Sequence, residues 1–111
     1  MNRFEALEVA KLVIAALRSL VAKIRAQDSG LADQLKDAGT SMVLNLGEGS
    51  RRQGRDRLQH YRIASGSAEE SQVALEVAVA WGYLETLEVE AALALLDREG
   101  AMTWRLTHPR A

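Results

Sequence analysis

Apolar residues recur at helical spacing in four successive segments of the chain. In the first, from Phe4 to Gln27, they follow steps of three and four residues, as Leu7, Ala10, Ile14, Leu17, Val21 and Ile24. Such steps place side chains on one side of an α-helix. The same criterion predicts a second helix from Leu31 to Ser50, a third from about Arg55 to Leu84, and a fourth from Thr86 to Leu106.

The segments between these helices carry turn and capping residues. Asp28-Ser29-Gly30 is expected to end the first helix, and Thr86 to be the N-cap of the fourth. No alternating pattern typical of a strand is present, and short connections make sequential helices antiparallel neighbours. The sequence therefore predicts an all-α protein. Residues 1–111 form a single domain, an antiparallel up-down-up-down four-helix bundle.

Two of the predicted helices have distinctive apolar faces. The third has two apolar stripes, one including Tyr61, Ala68 and Leu75, and the other Ile63, Gly66, Val73 and Val77. A helix that is apolar on two sides packs on two sides. On the fourth helix, we expect the inward positions to be Leu87, Ala91, Ala94 and Ala101.

Polar residues interrupt the second and third helices at positions that the apolar pattern assigns to the core. Asn45 lies in the apolar stripe of the second helix, between Ser41 and Glu48, and the third helix carries Ser67 and Glu70. A buried amide costs stability unless it is hydrogen-bonded. These five residues are interpreted as a hydrogen-bonded structural network that joins the two helices. The alternative, a catalytic or metal-binding core, is less favoured.

The composition argues against several kinds of chemistry. There is no cysteine, which fits a reducing cytoplasm, and no apolar run approaches the roughly 20 residues of a membrane span. The two histidines, His60 and His108, do not form the Glu-x-x-His pairs of a di-iron bundle, and no serine has an identifiable base. We therefore expect no catalytic residue, no metal and no cofactor.

Charge is distributed unevenly, although the net charge is only −1. Residues 51–62 contain one acid and five arginines: Arg51, Arg52, Arg55, Arg57 and Arg62. Residues 69–99 contain eight acids and one arginine. The arginines could bind the phosphates of a nucleic acid. Alternatively, they form a solvated tip of the helical hairpin or pair with acids of a neighbouring subunit, and near-neutrality favours this alternative. Trp81 and Trp104 are expected to be core aromatics rather than anchors for a partner.

Three segments carry a resemblance to a known family: QLKDAGTSMVLNLGEGSRR from Gln34, YRIASGSAEES from Tyr61, and AVAWGYL from Ala78. The chain resembles the 23S rRNA-intervening-sequence proteins in the positions Gln34, Leu35, Ala38, Ser41, Asn45, Glu48, Gly49, Ile63, Ala64, Gly66, Ser67 and Glu70. The resemblance implies a closed ring of four-helix bundles, a homopentamer, with no established catalysis. Relatives include accessory proteins of diversity-generating retroelements, which bind a reverse transcriptase and nucleic acid.

Two functions follow from these observations. The first is a non-enzymatic, homo-oligomeric interaction or scaffold protein, whose partners are copies of itself and a further protein. The alternative is a nucleic-acid-binding accessory protein that works beside a reverse transcriptase or other RNA-processing machinery.

Overall fold

Four α-helices make up almost all of residues 3–108, the part of the chain that the computed structural model describes. They are α1 (Arg3–Arg25), α2 (Ser29–Ser50), α3 (Gly54–Ala80) and α4 (Thr86–Thr107). The helices lie side by side in a rod of 45 × 22 × 19 Å. The prediction of an all-α antiparallel four-helix bundle is confirmed.

Each helix packs against two others, so the bundle is square in cross-section. α2 contacts α1 and α3, and α4 contacts α3 and α1. The core between them is aliphatic, and its largest fully buried apolar side chains are Val13, Ile24, Leu35, Met42, Leu46, Leu75, Val89 and Leu96. Burying each such side chain contributes roughly 1.5–3 kcal/mol, which is the main force holding the helices together.

Asp28 begins α2 and does not merely end α1. Its Oδ1 accepts a hydrogen bond from the Leu31 N–H at 3.0 Å, which makes it the N-cap. Its Oδ2 accepts a second one from the Tyr83 hydroxyl at 3.1 Å. One carboxylate therefore joins the α1–α2 turn to the α3–α4 turn. The predicted stop at Asp28-Ser29-Gly30 is corrected, because Ser29 and Gly30 lie within α2.

The third helix ends at Ala80, four residues before the predicted end. Gly82 has φ +82°, a left-handed conformation that glycine adopts without strain. The Tyr83 N–H donates to the Ala78 carbonyl and the Gly82 N–H to the Val79 carbonyl, both at 2.9 Å. This pair of bonds is the Schellman motif that closes a helix.

The fourth helix is capped by Glu85 and not by Thr86. The Glu88 carboxylate reaches back one turn and accepts the Glu85 N–H at 2.7 Å, and it also pairs with Lys23 at 2.6 Å. These two contacts, the backbone hydrogen bond first, lower the pKa of Glu88 below its ordinary value. The Lys23 pair also joins α1 to the start of α4.

The predicted inward face of α4 is wrong. All four residues assigned to it, Leu87, Ala91, Ala94 and Ala101, are exposed. The buried face is Val89, Ala92, Leu96, Glu99, Met102 and Thr103. Alanines occur on both faces of this helix, and a glutamate interrupts the stripe that is actually buried. The apolar pattern therefore could not distinguish the buried face of α4 from the exposed one.

Several large apolar residues that were expected in the core lie at the surface. Trp81 is 69% exposed and Trp104 is 57% exposed, so the prediction of core aromatics is wrong for both. Trp104 instead stacks on His108, with ring centroids 4.1 Å apart. On α1, Ile14 is 38% exposed, and on α3 Val73 is 50% exposed. The helices thus carry more apolar surface than one bundle covers.

No helix within residues 3–108 is both long enough and apolar enough to cross a lipid bilayer.

Candidate functional site

A chain of hydrogen bonds joins α2 to α3 near the middle of the bundle. The Ser67 hydroxyl donates to the Ser41 Oγ at 2.9 Å. The Asn45 Nδ2 donates to the Ser41 carbonyl at 2.9 Å and to the Ser41 Oγ at 3.2 Å. The Asn45 Oδ1 lies 2.9 Å from the His60 Nδ1. Three of the five residues predicted for a polar network are therefore in contact, and His60 joins them.

The amide of Asn45 fixes the proton of the histidine ring. Its Nδ2 faces Ser41, so its Oδ1 faces His60 and can only accept. The His60 Nδ1 therefore donates, and the ring carries its proton on that nitrogen when neutral. The other nitrogen, Nε2, lies 3.9 Å from a carboxylate oxygen of Asp56 one turn earlier.

Glu48 and Glu70 lie outside this network, which corrects the sequence-based grouping. Glu48 faces the turn between α2 and α3, residues 51–53, which we call the arginine turn. It accepts a hydrogen bond from Arg51 at 2.9 Å and lies 3.8 Å from Arg52. Arg51 lowers the pKa of Glu48, first through that hydrogen bond and then through its charge. Glu70 is exposed and, with Gly66, lines a shallow groove between α2 and α3.

The five arginines of the segment from 51 to 62 have different environments. The Arg57 Nε donates to the Gly49 carbonyl at 3.1 Å, so this residue satisfies an acceptor at the end of α2. Arg51 pairs with Glu48, and Arg52 pairs with Asp56 at 2.9 Å. These pairs are exposed and contribute little to stability.

Arg55 and Arg62 complete the set. Both are exposed, and neither forms an ion pair with any residue between 3 and 108. Of the five arginines in the segment from 51 to 62, they are the two whose side chains form neither an ion pair nor a hydrogen bond within residues 3–108.

α2 and α3 approach each other closely beside this network. A Cβ at Gly49 would lie only 2.6 Å from the Tyr61 Cε1, so only glycine fits against the ring. Tyr61 is 2% exposed, and its hydroxyl has no hydrogen-bond partner within residues 3–108. The glycine allows the two helices to meet where the polar contacts form.

Glu99 is a buried polar residue that sequence reasoning missed. It lies on the core face of α4 with no solvent exposure, and neither carboxylate oxygen has a hydrogen-bond partner in the described part of the chain. Burial raises its pKa to about 8, against a smaller opposing effect of Arg98. The position could have been found from spacing, because Ala92, Leu96, Glu99 and Thr103 follow helical steps along one face.

His60 was also missed as a member of the network, and its signal is one of topology. In a helical hairpin, residues at similar distances from the turn face each other, and Asn45 and His60 flank the turn between α2 and α3. Within residues 3–108, no three histidine, aspartate or glutamate side chains converge as metal ligands would.

Comparison with protein-family models gives a match over most of the chain. The model of the 23S rRNA-intervening sequence proteins matches residues 4–105. The chain belongs to the 23S rRNA-intervening sequence protein family. This confirms the resemblance carried by the segment around Asn45 and by the start of α3.

One solved structure is similar to this family member over its full length. It is the crystal structure of a protein of unknown function from the S23 ribosomal protein family of Bacteroides thetaiotaomicron. The two chains are 19% identical, and the TM-score is 0.79 over 98% of this chain and 100% of the other. At this identity the likeness establishes the shared fold. Comparison with curated proteins finds no similar sequence.

Proposed function

We propose that the chain is a non-enzymatic, homo-oligomeric scaffold protein whose copies close into a ring, with five subunits as the family resemblance implies. The observation that carries this proposal is the second apolar stripe of α3. Ile63 is 40% exposed and Val73 is 50% exposed, because one bundle covers only the other side of the helix. Uncovered apolar stripes of this kind favour association with another protein surface.

The polar network supports a structural role better than a catalytic one. The Ser67 hydroxyl donates to Ser41, whose Oγ also accepts from the Asn45 amide, so neither hydroxyl faces a base. The His60 Nδ1 is engaged by Asn45. Buried polar groups paired in this way fix the register of two helices. The absence of cysteine from the sequence fits a reducing cytoplasm as the place where the scaffold acts.

Sedimentation or light scattering of the purified chain tests the proposal. We expect a mass about five times the 12.2 kDa of one chain. A stable assembly of another number would retain the scaffold and reject the pentamer. A single species of 12.2 kDa at micromolar concentration would contradict the whole proposal.

A nucleic-acid-binding accessory protein is the second candidate, and the exposed, unpaired Arg55 and Arg62 favour it. Its affinity for RNA would fall with salt at a slope of roughly −0.7 to −0.9 per phosphate contact. Changing Arg51, Arg52 and Arg55 to Gln would then remove binding and leave the assembly intact. We expect instead that the parent binds RNA too weakly to measure, since two of these arginines already face acids.

A further inference from the structure

A groove of about 820 Å³ runs along the surface between α1 and α2. Its floor is apolar and includes Ile14 and Val21, two residues that the sequence pattern assigns to the core, beside Gly39. Four cationic side chains line it, and no acidic residue does: Lys11, Arg18, Arg25 and Lys36. We call this surface the basic groove.

Two of the four cations have no partner in the single bundle. Arg18 and Lys36 form no ion pair with any residue from 3 to 108. Lys11 lies 3.4 Å from Glu8 and Arg25 lies 2.8 Å from Asp33, in pairs that are largely exposed to water. The basic groove therefore combines an uncovered apolar floor with uncompensated positive charge.

The outer face of α3 has the opposite charge and a similar apolar centre. Gly66, Val73 and Ala80 follow one another at seven-residue steps and are all exposed. They are flanked by three exposed carboxylates that form no ion pair with the rest of the described chain: Glu69, Glu70 and Glu76. A Cβ at Gly66 would meet nothing within 4 Å, so this face is open to a neighbour. Gly66, Glu69, Glu70 and Val73 form the α3 wall of the shallow groove between α2 and α3, and we call this face of α3 the acidic ridge.

We infer that the basic groove of one copy receives the acidic ridge of a second copy of the same chain. The inference rests on the proposed homo-oligomer and names the two surfaces that build it. Both carry apolar residues at their centres and charges of opposite sign at their edges. At 1.5 Å per residue, the groove from Lys11 to Ala26 is about 22 Å long and the ridge from Ile63 to Ala80 about 26 Å.

The heights of the two surfaces in the bundle also match. A Cβ at Gly39 would lie 3.1 Å from Ile14 and 3.2 Å from Leu17 on α1, and Ser41, two residues further along α2, bonds Ser67 on α3. Because α2 is antiparallel to α3, position 69 lies at a height between those of Ile14 and Leu17. Arg18 therefore lies within about three residues of the height of Glu70.

The similar heights of the basic groove and the acidic ridge matter because the copies are proposed to form a closed ring. Its copies are related by rotation without translation along the axis, so surfaces at equal heights meet when that axis is parallel to the bundles. By the same count, Arg25 lies within about four residues of the height of Glu76. Arg62, a cation on this face of α3, lies within about two residues of the height of Glu8.

Charge reversal on each surface tests the inference. The groove variant carries Arg18→Glu with Lys36→Glu, and the ridge variant carries Glu69→Lys with Glu70→Lys. Each places like charges opposite one another, and we expect the concentration for half-assembly to rise on the order of a hundredfold or more. The variant with all four changes has complementary surfaces again and should assemble as the parent does.

The control is Glu90→Lys with Asp97→Lys, two exposed positions at a seven-residue step on α4. It changes the net charge as much as the ridge variant does and should leave the assembly unchanged. Loss of assembly in this control to the same degree would overturn the inference, as would retention of assembly in the groove and ridge variants. If the groove and ridge variants both keep the assembly, the proposed homo-oligomer would stand and only the assignment of its contact surfaces would be wrong. A monomeric parent would overturn both proposals.

Mixing the groove variant with the ridge variant gives a second, independent readout. The native ridge of the first fits the native groove of the second, and the two reversed surfaces fit each other. The variants must therefore alternate, and we expect assemblies with equal numbers of each, which a ring of five cannot provide. Mixed assemblies of unequal composition, or no association on mixing, would overturn the inference.

Discussion

Replacing Glu99 by glutamine should make the protein increasingly stable, relative to the parent, as the pH rises above about 4.5, and should change little below that pH. The carboxyl group has no solvent exposure and no hydrogen-bond partner within residues 3–108, and burial raises its pKa from 4.5 to about 8. The folded chain therefore holds this proton between about pH 4.5 and pH 8, whereas the unfolded chain has released it.

The direction in which stability changes with pH follows from the difference in the pKa of Glu99 between the folded and the unfolded chain. Below about pH 4.5 both states are protonated at Glu99, and the free energy of unfolding carries no penalty from it. As the pH rises to about 8, folding requires proton uptake and the free energy of unfolding falls; above that, the loss is complete. At about 1.36 kcal/mol per pKa unit, the total is on the order of 5 kcal/mol, as an upper limit.

Glutamine has nearly the same shape and no charge, so Glu99→Gln should remove this pH dependence. The measurement is denaturant unfolding followed by circular dichroism at a fixed protein concentration, repeated from about pH 4.5 to above pH 8. Glu90→Gln, at an exposed position on the same helix, is the matched control and should leave the profile of the parent unchanged. Glu99→Met should go further, because it also removes two unpaired buried oxygens.

A flat stability profile for the parent would refute this reasoning. So would a Gln variant that loses stability at every pH, since that result would mean that Glu99 is ionised and paired with a cation.

Three further substitutions address the contact between α2 and α3, each read out by thermal melts. Asn45→Ala leaves Ser41 and His60 without their partner and should cost about 1–3 kcal/mol, whereas a melt identical to the parent's would contradict the network. Gly49→Ala drives a Cβ against the ring of Tyr61, 2.6 Å away, and should cost about 1–3 kcal/mol. Gly47→Ala meets nothing within 4 Å and should instead stabilise by about 0.5–1 kcal/mol; equal effects at the two glycines would argue against the close approach.

The sequence was sufficient to predict the number and order of the helices, because aliphatic residues at helical steps dominate each segment. It failed at the end of α3, where a left-handed Gly82 stops the helix, since glycine alone does not reveal its φ. It failed on α4 because alanine is compatible with either face and Glu99 interrupts the core stripe. The tryptophans were misplaced because a large aromatic side chain does not require burial.

In the candidate site, too, some residues could be predicted from the sequence and others could not. Ser41, Asn45 and Ser67 stood out as polar residues in apolar stripes, and the structure brings them into contact. His60 required the register of the α2–α3 hairpin, which depends on where the turn lies. Glu48 lies at the edge of the same helix face and is drawn to the arginine turn instead.

The double role of Asp28 couples the start of one helix to a distant turn. One of its oxygens caps α2 and the other accepts from Tyr83, which lies 55 residues further along the chain. Each bond holds the carboxylate in the orientation that the other requires. Initiation of α2, a local event in most helical hairpins, is thereby linked to docking of the second hairpin. At this end of the bundle, the two hairpins should open and close as one cooperative unit.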